Sequence, residues 1–529
     1  MSRFNKPVVR TVVPSLLRSE QTPSTTTYEG APGYLRDAKS QLFLLAVVNL
    51  GDKAFYESAA QRNSRFVNLV REVTLADPQW IAGFLRWVRR DGMMRTAPLI
   101  AAAEAVKTLV DAGRPGGRQI IANTLARADE PGEFLAYWVS HFGRKLPWPV
   151  KRGLGDACIR LWGEYQLMKY DTPSHGYRFA DVLALTHPGE RRNNQHLRGS
   201  WQGDLFAHAI DRRYGRDSAS VDSSETLDKI AANRDIRARA AEDPFALTDP
   251  QAVRAAGLTW EDVMSLAGNR VPKSALWEAM IPNMGYEALL KNLRNFDQAG
   301  IGEGSARSVE AMLTDPDRVS RSGQFPMRFL VAYRNSGLRW AWPLEQALNL
   351  SLRNIPRLRG TTLVLVDRSG SMFMGAALSA DPRSGLPRAE TAAIFGTALA
   401  LAADNATLAQ FGSGSQVVNH GPGASILRVM DQFRELGGTN TSEAVRAHYH
   451  GHDRVVIITD EQAWRSGYGA PTVQVPERVP VYTWSLGGYA AGHGPSGPNR
   501  HIFGGLSDAS FAMISLIEQG VQARWPWEN

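Results

Sequence analysis

The pattern of apolar residues changes once along this chain, near residue 355, and that change limits the fold more than any other feature of the sequence. Before it, apolar residues recur with the spacing of amphipathic helices. After it, short apolar runs alternate with helix-like segments, which is typical of a mostly parallel sheet covered by helices on both faces. The sequence therefore predicts an α-helical part followed by an α/β part.

The helical periodicity is clearest in two segments. In DPQWIAGFLRWVRR, Asp77 and Pro78 suit the cap and the first turn of a helix whose apolar residues recur every three or four positions. The segment MGYEALLKNLRNF carries the same kind of stripe. Short breaks rich in Gly, Pro and Asp separate such segments, but they follow no strict repeat. Irregular antiparallel helix pairs, stacked on one another, are therefore expected from about residue 33 to residue 354.

Composition excludes several classes of protein. The 529 residues are 43% hydrophobic and 21% charged, which predicts a globular protein with more than one core and not a disordered chain. Cys158 is the only cysteine, so a disulfide framework and a cysteine zinc site are excluded. The N-terminal apolar patch, broken by Pro14, is too short for the core of a signal peptide, and the longest apolar run of the chain is too short for a membrane span. A soluble cytoplasmic protein that does not enter a membrane is the expectation.

Charge is unevenly distributed along the sequence. The net charge of +8 divides into +11 before residue 361 and −3 from that residue onward. Ordinary solvated helix faces explain such a surplus about as well as a binding role does. The functional alternative is that the N-terminal part meets a polyanion, with RNA or DNA as the simplest choice.

Oxygen-bearing side chains follow the first predicted strand of the α/β part. In TLVLVDRSGS, Asp367, Ser369 and Ser371 alternate where the apolar run ends; Thr439 in GGTNTSEA and Asp460 in RVVIITDEQ occupy two further loops. Parallel sheets place ligand sites at the carboxyl ends of their strands. Two carboxylates and three hydroxyls make a hard oxygen site that suits Mg²⁺, with Mn²⁺ or Ca²⁺ as alternatives. Without a metal, the same aspartates and serines would only cap a helix or end a strand.

A basic segment with interleaved tyrosines lies between residues 143 and 201. Its cations can contact phosphates, and its aromatic rings can stack on unpaired bases. No recognition-helix motif, zinc finger or basic zipper region appears, so the reading of duplex DNA is disfavoured. The candidate RNA-binding residues of this segment are Lys151, Arg152, Lys169, Arg178, His187, Arg191 and Arg192.

These motifs resemble those of known families. DRSGS, the threonine of GGTNT and the aspartate of IITDEQ match, in order, the metal-ion-dependent adhesion site of von Willebrand factor A domains. KYDTPSHGYRFADVLALTHP, ALWEAMIPNMGYEALLKNLRNF and FPMRFLVAYR, together with DRSGSM, make the whole chain resemble the Ro autoantigen family, in which a TROVE module precedes such an A domain.

The resemblance implies a fold and a division of the chain. The implied fold is a multidomain α plus α/β protein, in which a ring of irregular HEAT-like helical repeats is closed by a doubly wound, Rossmann-like von Willebrand factor A domain. The implied division is an N-terminal tail at 1–28, the TROVE ring at 29–355 and the A domain at 356–529. A monomer is expected.

The resemblance also implies a function. In that family the outer basic surface binds small non-coding Y RNA, and the central hole accepts single-stranded 3′ ends of misfolded RNA. The lysine and histidine that bind Y RNA fall on Lys169 and His187; a further family arginine has no direct counterpart, and only Arg178 is placed to substitute for it. Bacterial members are associated with exoribonucleases, notably polynucleotide phosphorylase, in RNA quality control or degradation.

Three functions stay open on the sequence alone. An RNA-binding scaffold without catalysis of its own is favoured by the charge asymmetry, because no nucleophile–base pair, two-metal acidic cluster or cofactor loop is evident. The second is a metal-dependent protein-binding adapter that uses its A domain to capture an acidic partner. The third is a subunit of a metal chelatase, in which A domains accompany ATP-driven partners.

Overall fold

The structure is a computed structural model that describes residues 14–47, 58–92, 94–174, 176–188, 200–216, 226–324, 326–374, 387–421, 423–465, 467, 469–506, 508–518, 525, 527 and 528. Helices dominate the described residues up to 354, and strands alternate with helices after them, as the sequence predicted. No helix among these residues is long and apolar enough to cross a membrane.

The helices of the first part follow one another with short connections. In chain order they are α1 (Ala38–Val47), α2 (Ala59–Ala76), α3 (Pro78–Arg90), α4 (Thr96–Asp111), α5 (Gly117–Thr124), α6 (Glu130–Phe142), α7 (Trp148–Leu161), α8 (Glu164–Tyr170), α9 (Phe179–Thr186), α10 (Trp201–Tyr214), α11 (Asp228–Glu242), α12 (Pro250–Ala255), α13 (Trp260–Ala267), α14 (Lys273–Met280), α15 (Tyr286–Ala299), α16 (Glu303–Thr314), α17 (Pro316–Ser322), α18 (Pro326–Asn335) and α19 (Ala341–Ser351).

Helix α3 illustrates how the sequence builds this part. Asp77 caps the helix, because its Oδ1 accepts a hydrogen bond from the backbone N–H of Trp80 at 3.0 Å, and Pro78 occupies the first turn. Trp80, Phe84 and Val88 are all buried on one side. The cap and the stripe predicted from the sequence are therefore confirmed.

The helices pack around two successive cores. The first core runs from the N-terminal helices to Ile230, and the second begins at Ile236 and continues to Leu348. Both isoleucines lie on α11, so this helix joins the two cores into one continuous array. Neighbours in the array bury each other's apolar stripes, which is how stacked helical repeats are stabilised.

The second part is built on a six-stranded sheet. Its strands are β3 (Leu358–Asp367), β4 (Ala403–Phe411), β5 (Ser415–Val417), β6 (Arg454–Thr459), β7 (Val481–Ser485) and β9 (Arg500–Gly504), and its helices are α20 (Arg388–Ala402), α21 (Ile426–Met430), α22 (Thr441–His448) and α23 (Asp508–Glu518). The strands lie in the order β5-β4-β3-β6-β7-β9, in which only the β4–β5 pair is antiparallel.

Both faces of this sheet are buried. Along β3, Val364 and Val366 belong to one hydrophobic core, whereas Leu363 and Leu365 belong to another on the opposite face. Successive strand residues point to opposite faces, so an unbroken apolar run requires a cover on both sides. The doubly wound α/β arrangement predicted from the sequence is confirmed.

One helix of the α/β part is much shorter than the helix-like segment of sequence that contains it. The segment SILRVMDQFREL forms a helix only over Ile426–Met430. Beyond it, the backbone N–H of Arg434 donates to the Gln410 side-chain oxygen at 2.7 Å, and that of Leu436 donates to the Arg368 carbonyl at 2.9 Å. These tertiary hydrogen bonds replace the helical ones, which periodicity along the chain does not reveal.

The N-terminal segment packs on the α/β domain. The tail predicted for 1–28 is described from residue 14, and it does not stand apart: β1 (Thr25–Thr26) pairs with β2 (Pro32–Leu35), which pairs in turn with β8 (Ala491–Gly492). The backbone N–H of Ser19 also donates to Ser496 Oγ at 2.6 Å. The β2–β8 pairing and the Ser19–Ser496 hydrogen bond join regions more than 400 residues apart, which no local pattern predicts.

The helical array meets the α/β domain at both of its ends. At the first end, α1 packs so closely on β9 that a Cβ on Gly504 would lie 2.2 Å from Leu44 Cδ2. At the other end, Ile394 of α20 and Ile426 of α21 belong to the second helical core. The helices therefore form a ring that the α/β domain closes, as the family resemblance implied.

Candidate metal centre and candidate nucleic-acid interface

The five residues predicted to hold a metal ion lie in three loops at the carboxyl edge of the sheet, and together they form what we call the strand-tip pocket. They are between 0 and 6% exposed: Asp367, Ser369, Ser371, Thr439 and Asp460. The β3 and Thr439 loops are joined through backbone, because the N–H of Gly370 donates to the Gly437 carbonyl at 2.7 Å. Gly437 has φ +77°, a conformation that L side chains rarely adopt.

Hydrogen bonds fix the side chains of the β3 loop. Asp367 Oδ1 accepts from the backbone N–H of Ser369 at 2.8 Å, and its Oδ2 accepts from Thr459 Oγ1 at 2.6 Å. The hydroxyl oxygens of Ser369 and Ser371 lie 3.3 Å apart. The structure thus brings Asp367, Ser369 and Ser371 together, and the loop that carries Thr439 lies beside them.

The electrostatics of the strand-tip pocket fit a divalent cation. Burial, followed by the charge of Asp460, raises the pKa of Asp367 to about 7. Burial also raises the pKa of Asp460, against the opposing effects of a Ser371 hydrogen bond and the Arg388 charge. Asp460 Oδ2 has no hydrogen-bond partner among the described residues. A hard cation would relieve the carboxylate repulsion and engage this oxygen.

The ligand set would depend on hydroxyls as well as carboxylates. Among the described residues, no group of three or more His, Cys, Asp or Glu side chains is arranged to hold a metal ion. Two carboxylates and three hydroxyls are instead a set for Mg²⁺, which keeps some of its waters and accepts few protein carboxylates.

The loop that carries Asp460 is fixed by a buried ion pair that no sequence pattern predicts. Glu461 adopts φ +65° and forms a salt bridge with Arg36, and both side chains are at most 1% exposed. Thr27 Oγ1 also donates to the Ala463 carbonyl at 2.7 Å. The N-terminal segment therefore buttresses the loop behind the pocket.

The predicted RNA-binding residues lie on several consecutive helices, and two of them lie along α7. Lys151 and Arg152 are half-buried on this helix. Gly155, one turn further, is covered by the turn after α9, because a Cβ there would lie 3.3 Å from Pro188 Cα. His187 ends α9 in a left-handed conformation, with φ +45°, and its side chain is exposed. The structure therefore brings His187 and the α7 cations into one neighbourhood.

Lys169 lies on the next helix, among tyrosine rings. It is exposed on α8, with its Nζ 5.6 Å from the ring centre of Tyr165 and 5.3 Å from that of Tyr170. Arg127 lies over the Tyr170 ring as well, at 5.2 Å. Cations beside tyrosine rings are the arrangement expected where phosphates and unpaired bases bind together.

Arg178 has a different environment from the other candidates. Its guanidinium pairs with Asp171 at 2.6 Å, and the two side chains are 13% and 1% exposed. Asp171 also accepts from the backbone N–H of Phe179 at 2.9 Å. Arg178 is thus already paired within the fold, with a carboxylate that Arg212 also approaches at 3.7 Å. Arg191 and Arg192, the two remaining candidates, fall outside the described residues.

Comparison with known proteins bears on the fold and on one segment. The family model of the TROVE domain matches residues 254–360. Telomerase protein component 1 of Rattus norvegicus and that of Mus musculus are each 39% identical over 77 residues, which is 14% of this chain and only 3% of the relative's length. The crystal structure of the Deinococcus radiodurans RO (RSR) protein is similar with a TM-score of 0.61 and 19% identity, covering 91% of this chain and 100% of that chain.

Residues 254–360 thus match the TROVE domain, and the chain as a whole has a Ro-type fold. The Ro-type likeness includes both the helical ring and the α/β domain, whereas the TROVE match spans α13 to α19 and the first residues of β3. The α7 cations and the strand-tip pocket lie outside the matched segment. The roles assigned to those residues therefore stay predictions.

Proposed function

We propose that this Ro-type protein is an RNA-binding scaffold of a ribonucleoprotein, without catalysis of its own. The observation that carries the proposal is the location of the charge: the residues before 361, which include the helical ring and the start of the chain, hold +11, whereas the part from residue 361 onward holds −3. Phosphate contacts supply most of the affinity for nucleic acid, so the helical ring and not the α/β domain is the RNA-binding part.

The ring offers two places for RNA. The outer helices present Lys151, Arg152, Lys169 and His187, which suit a structured small RNA of the Y type. The central opening suits a single-stranded 3′ end of misfolded RNA, because an A-form duplex is wider and stiffer than a single strand. The proposed setting is a cytoplasmic monomer that delivers RNA to an exoribonuclease such as polynucleotide phosphorylase.

Mg²⁺ is the proposed occupant of the strand-tip pocket. Asp367, Ser369, Ser371, Thr439 and Asp460 would hold it, directly or through waters, supported by their burial and by the Asp460 oxygen that lacks a partner among the described residues. Such an ion supplies a positive charge that stabilises the three loops or receives an acidic group of a partner. Its role is structural or adhesive.

The deciding experiment compares three RNAs at matched ionic strength: one hairpin with a 3′ overhang, the same hairpin with a 5′ overhang of equal length, and the blunt hairpin. We expect the 3′ overhang to bind most tightly and sequence changes in it to matter little, because phosphate contacts and stacking carry little base information. Equal affinity for the three RNAs would exclude the recognition of 3′ ends in the central opening. No affinity for any of them would exclude the RNA-scaffold function.

A metal-dependent adapter for an acidic protein is the second candidate. Two apolar side chains near the strand-tip pocket favour it: Trp464, 38% exposed, covers Gly438, and Met374 is 49% exposed. Purification separates the two functions. RNA that co-purifies and is removed by ribonuclease supports the scaffold, whereas RNA-free protein that retains an acidic protein only in Mg²⁺ supports the adapter.

A further inference from the structure

Helix α7 presents an exposed tryptophan on the side opposite to its core. The helix packs on α5, where a Cβ on Gly153 would lie 2.7 Å from Ile121 Cβ. Successive residues of a helix turn by about 100°, so Trp148, Lys151 and Arg152 share the outward side. Trp148 is 69% exposed although large aromatic side chains normally bury most of their surface. The packing of α7 against the other described helices does not require an indole there.

The backbone that carries this indole is nevertheless well fixed. Trp148 lies between Pro147 and Pro149, and the preceding loop is anchored because Trp138 Nε1 donates to the Lys145 carbonyl at 3.3 Å. The Arg152 guanidinium lies 5.0 Å from the centre of the Trp148 ring. A rigid aromatic surface with few torsions to order loses little entropy when a ligand stacks on it.

The surroundings of Trp148 are basic. Arg144 and Lys145 are exposed in the loop before the helix, and Lys151 and Arg152 follow within one turn. About 10 Å further along the helix axis, the turn of His187 and Pro188 covers Gly155. An aromatic face enclosed by cations complements a nucleotide, whose base stacks while its phosphates attract the charges.

We propose that Trp148 is a stacking platform for one unpaired base of the bound RNA, with Lys151 and Arg152 contacting the flanking phosphates. This inference rests on the proposed RNA-scaffold function and adds to it the kind of nucleotide that the outer surface selects: one in a loop or bulge, not one within a duplex. An anionic membrane is the competing partner for tryptophan and cations, but membrane helices also expose a broad apolar face, and the apolar face of α7 is buried.

The test is a thermodynamic cycle between protein and RNA. The protein variants are Trp148→Ala, Trp148→Phe and the matched control Trp342→Ala, which removes another exposed tryptophan, 63% exposed on α19. The RNAs are a hairpin with a single-stranded loop and a series in which each loop nucleotide in turn lacks its base. Because the side chain is exposed, all variants should fold, which circular dichroism melting verifies.

We expect Trp148→Ala to weaken binding of the intact hairpin by roughly 5- to 140-fold, the range that loss of one stacked base spans. Trp148→Phe should retain most of the affinity, and Trp342→Ala all of it. One abasic position should weaken the wild type by a similar factor and the Trp148→Ala variant no further.

Two results would overturn the platform. In one, the wild type and Trp148→Ala bind the intact hairpin with equal affinity, or every abasic RNA loses the same affinity for both proteins. The scaffold function then stands, and only the stacking site is rejected. In the other, Trp148→Ala loses binding to vesicles of phosphatidylcholine and phosphatidylserine but keeps its RNA affinity, and the indole serves a membrane. A wild type that binds no RNA at all rejects the scaffold function itself.

Discussion

The strand-tip pocket and the cations of α7 differ in how each would bind a charged ligand. The pocket collects carboxylates and hydroxyls that are at most 6% exposed and that hydrogen bonds hold in place before any ion arrives. The α7 cations lie at the surface, half-buried, beside an exposed indole. In a buried site, repulsion between like charges destabilises the empty protein, and the bound ligand relieves that repulsion. A surface site destabilises the fold little, and its affinity comes from the counterions that are released when the ligand binds.

The largest expected effect is the loss of Mg²⁺ binding in the strand-tip pocket. Asp367→Ala should abolish Mg²⁺ binding measured by titration calorimetry, because it removes one of only two carboxylates of the proposed site. RNA affinity should change by less than about twofold, since the cations that contact phosphates lie elsewhere. The control is Asp404→Ala, an exposed aspartate of the same sheet that pairs with Arg357 at 2.6 Å. Mg²⁺ binding that persists in Asp367→Ala would refute the site.

The next largest expected effect is a loss of stability when the Arg36–Glu461 pair behind the strand-tip pocket is broken. Arg36→Met leaves the buried Glu461 carboxylate without its arginine partner and with only His493 Nδ1, 3.7 Å away, as an ion-pair neighbour. Removal of one member of a buried pair costs about 3 to 5 kcal/mol of unfolding free energy. Denaturant unfolding measures this loss. Lys107→Met breaks the exposed Lys107–Asp111 pair on α4 and should cost no more than about 0.5 kcal/mol. Similar losses in both variants would mean that the buried pair does not hold the loop.

The smallest effects distinguish the surface cations from one another. Lys151→Gln with Arg152→Gln should lower RNA affinity and reduce the slope of log affinity against log salt by up to about 1.8, without changing stability. Arg178→Gln should instead lower the stability without changing the RNA affinity, because it leaves the buried Asp171 with only Arg212, 3.7 Å away, while removing no phosphate contact. A flatter salt slope at unchanged melting temperature in Arg178→Gln would place this arginine in the RNA interface.

The sequence predicted some features of the fold and of the two sites and missed others. The β3 strand, the caps of α3 and the convergence of Asp367 with Asp460 were predictable because they depend on periodicity and on strand ends that meet at one edge. The environment of Arg178 was not, because the sequence does not tell which cations are already paired. The shortened helix at Ile426–Met430 and the Arg36–Glu461 pair were missed for a related reason: their partners are distant along the chain.

The Arg36–Glu461 pair has a consequence for how the chain is made. The two residues are 425 positions apart, so the first must emerge from the ribosome long before the second. At the usual rates of synthesis, about 5 to 20 residues per second, the N-terminal strands wait about 20 to 85 s for the partner that covers them. During that interval their unpaired edges are exposed to other chains, and ring closure is the event that ends this vulnerability.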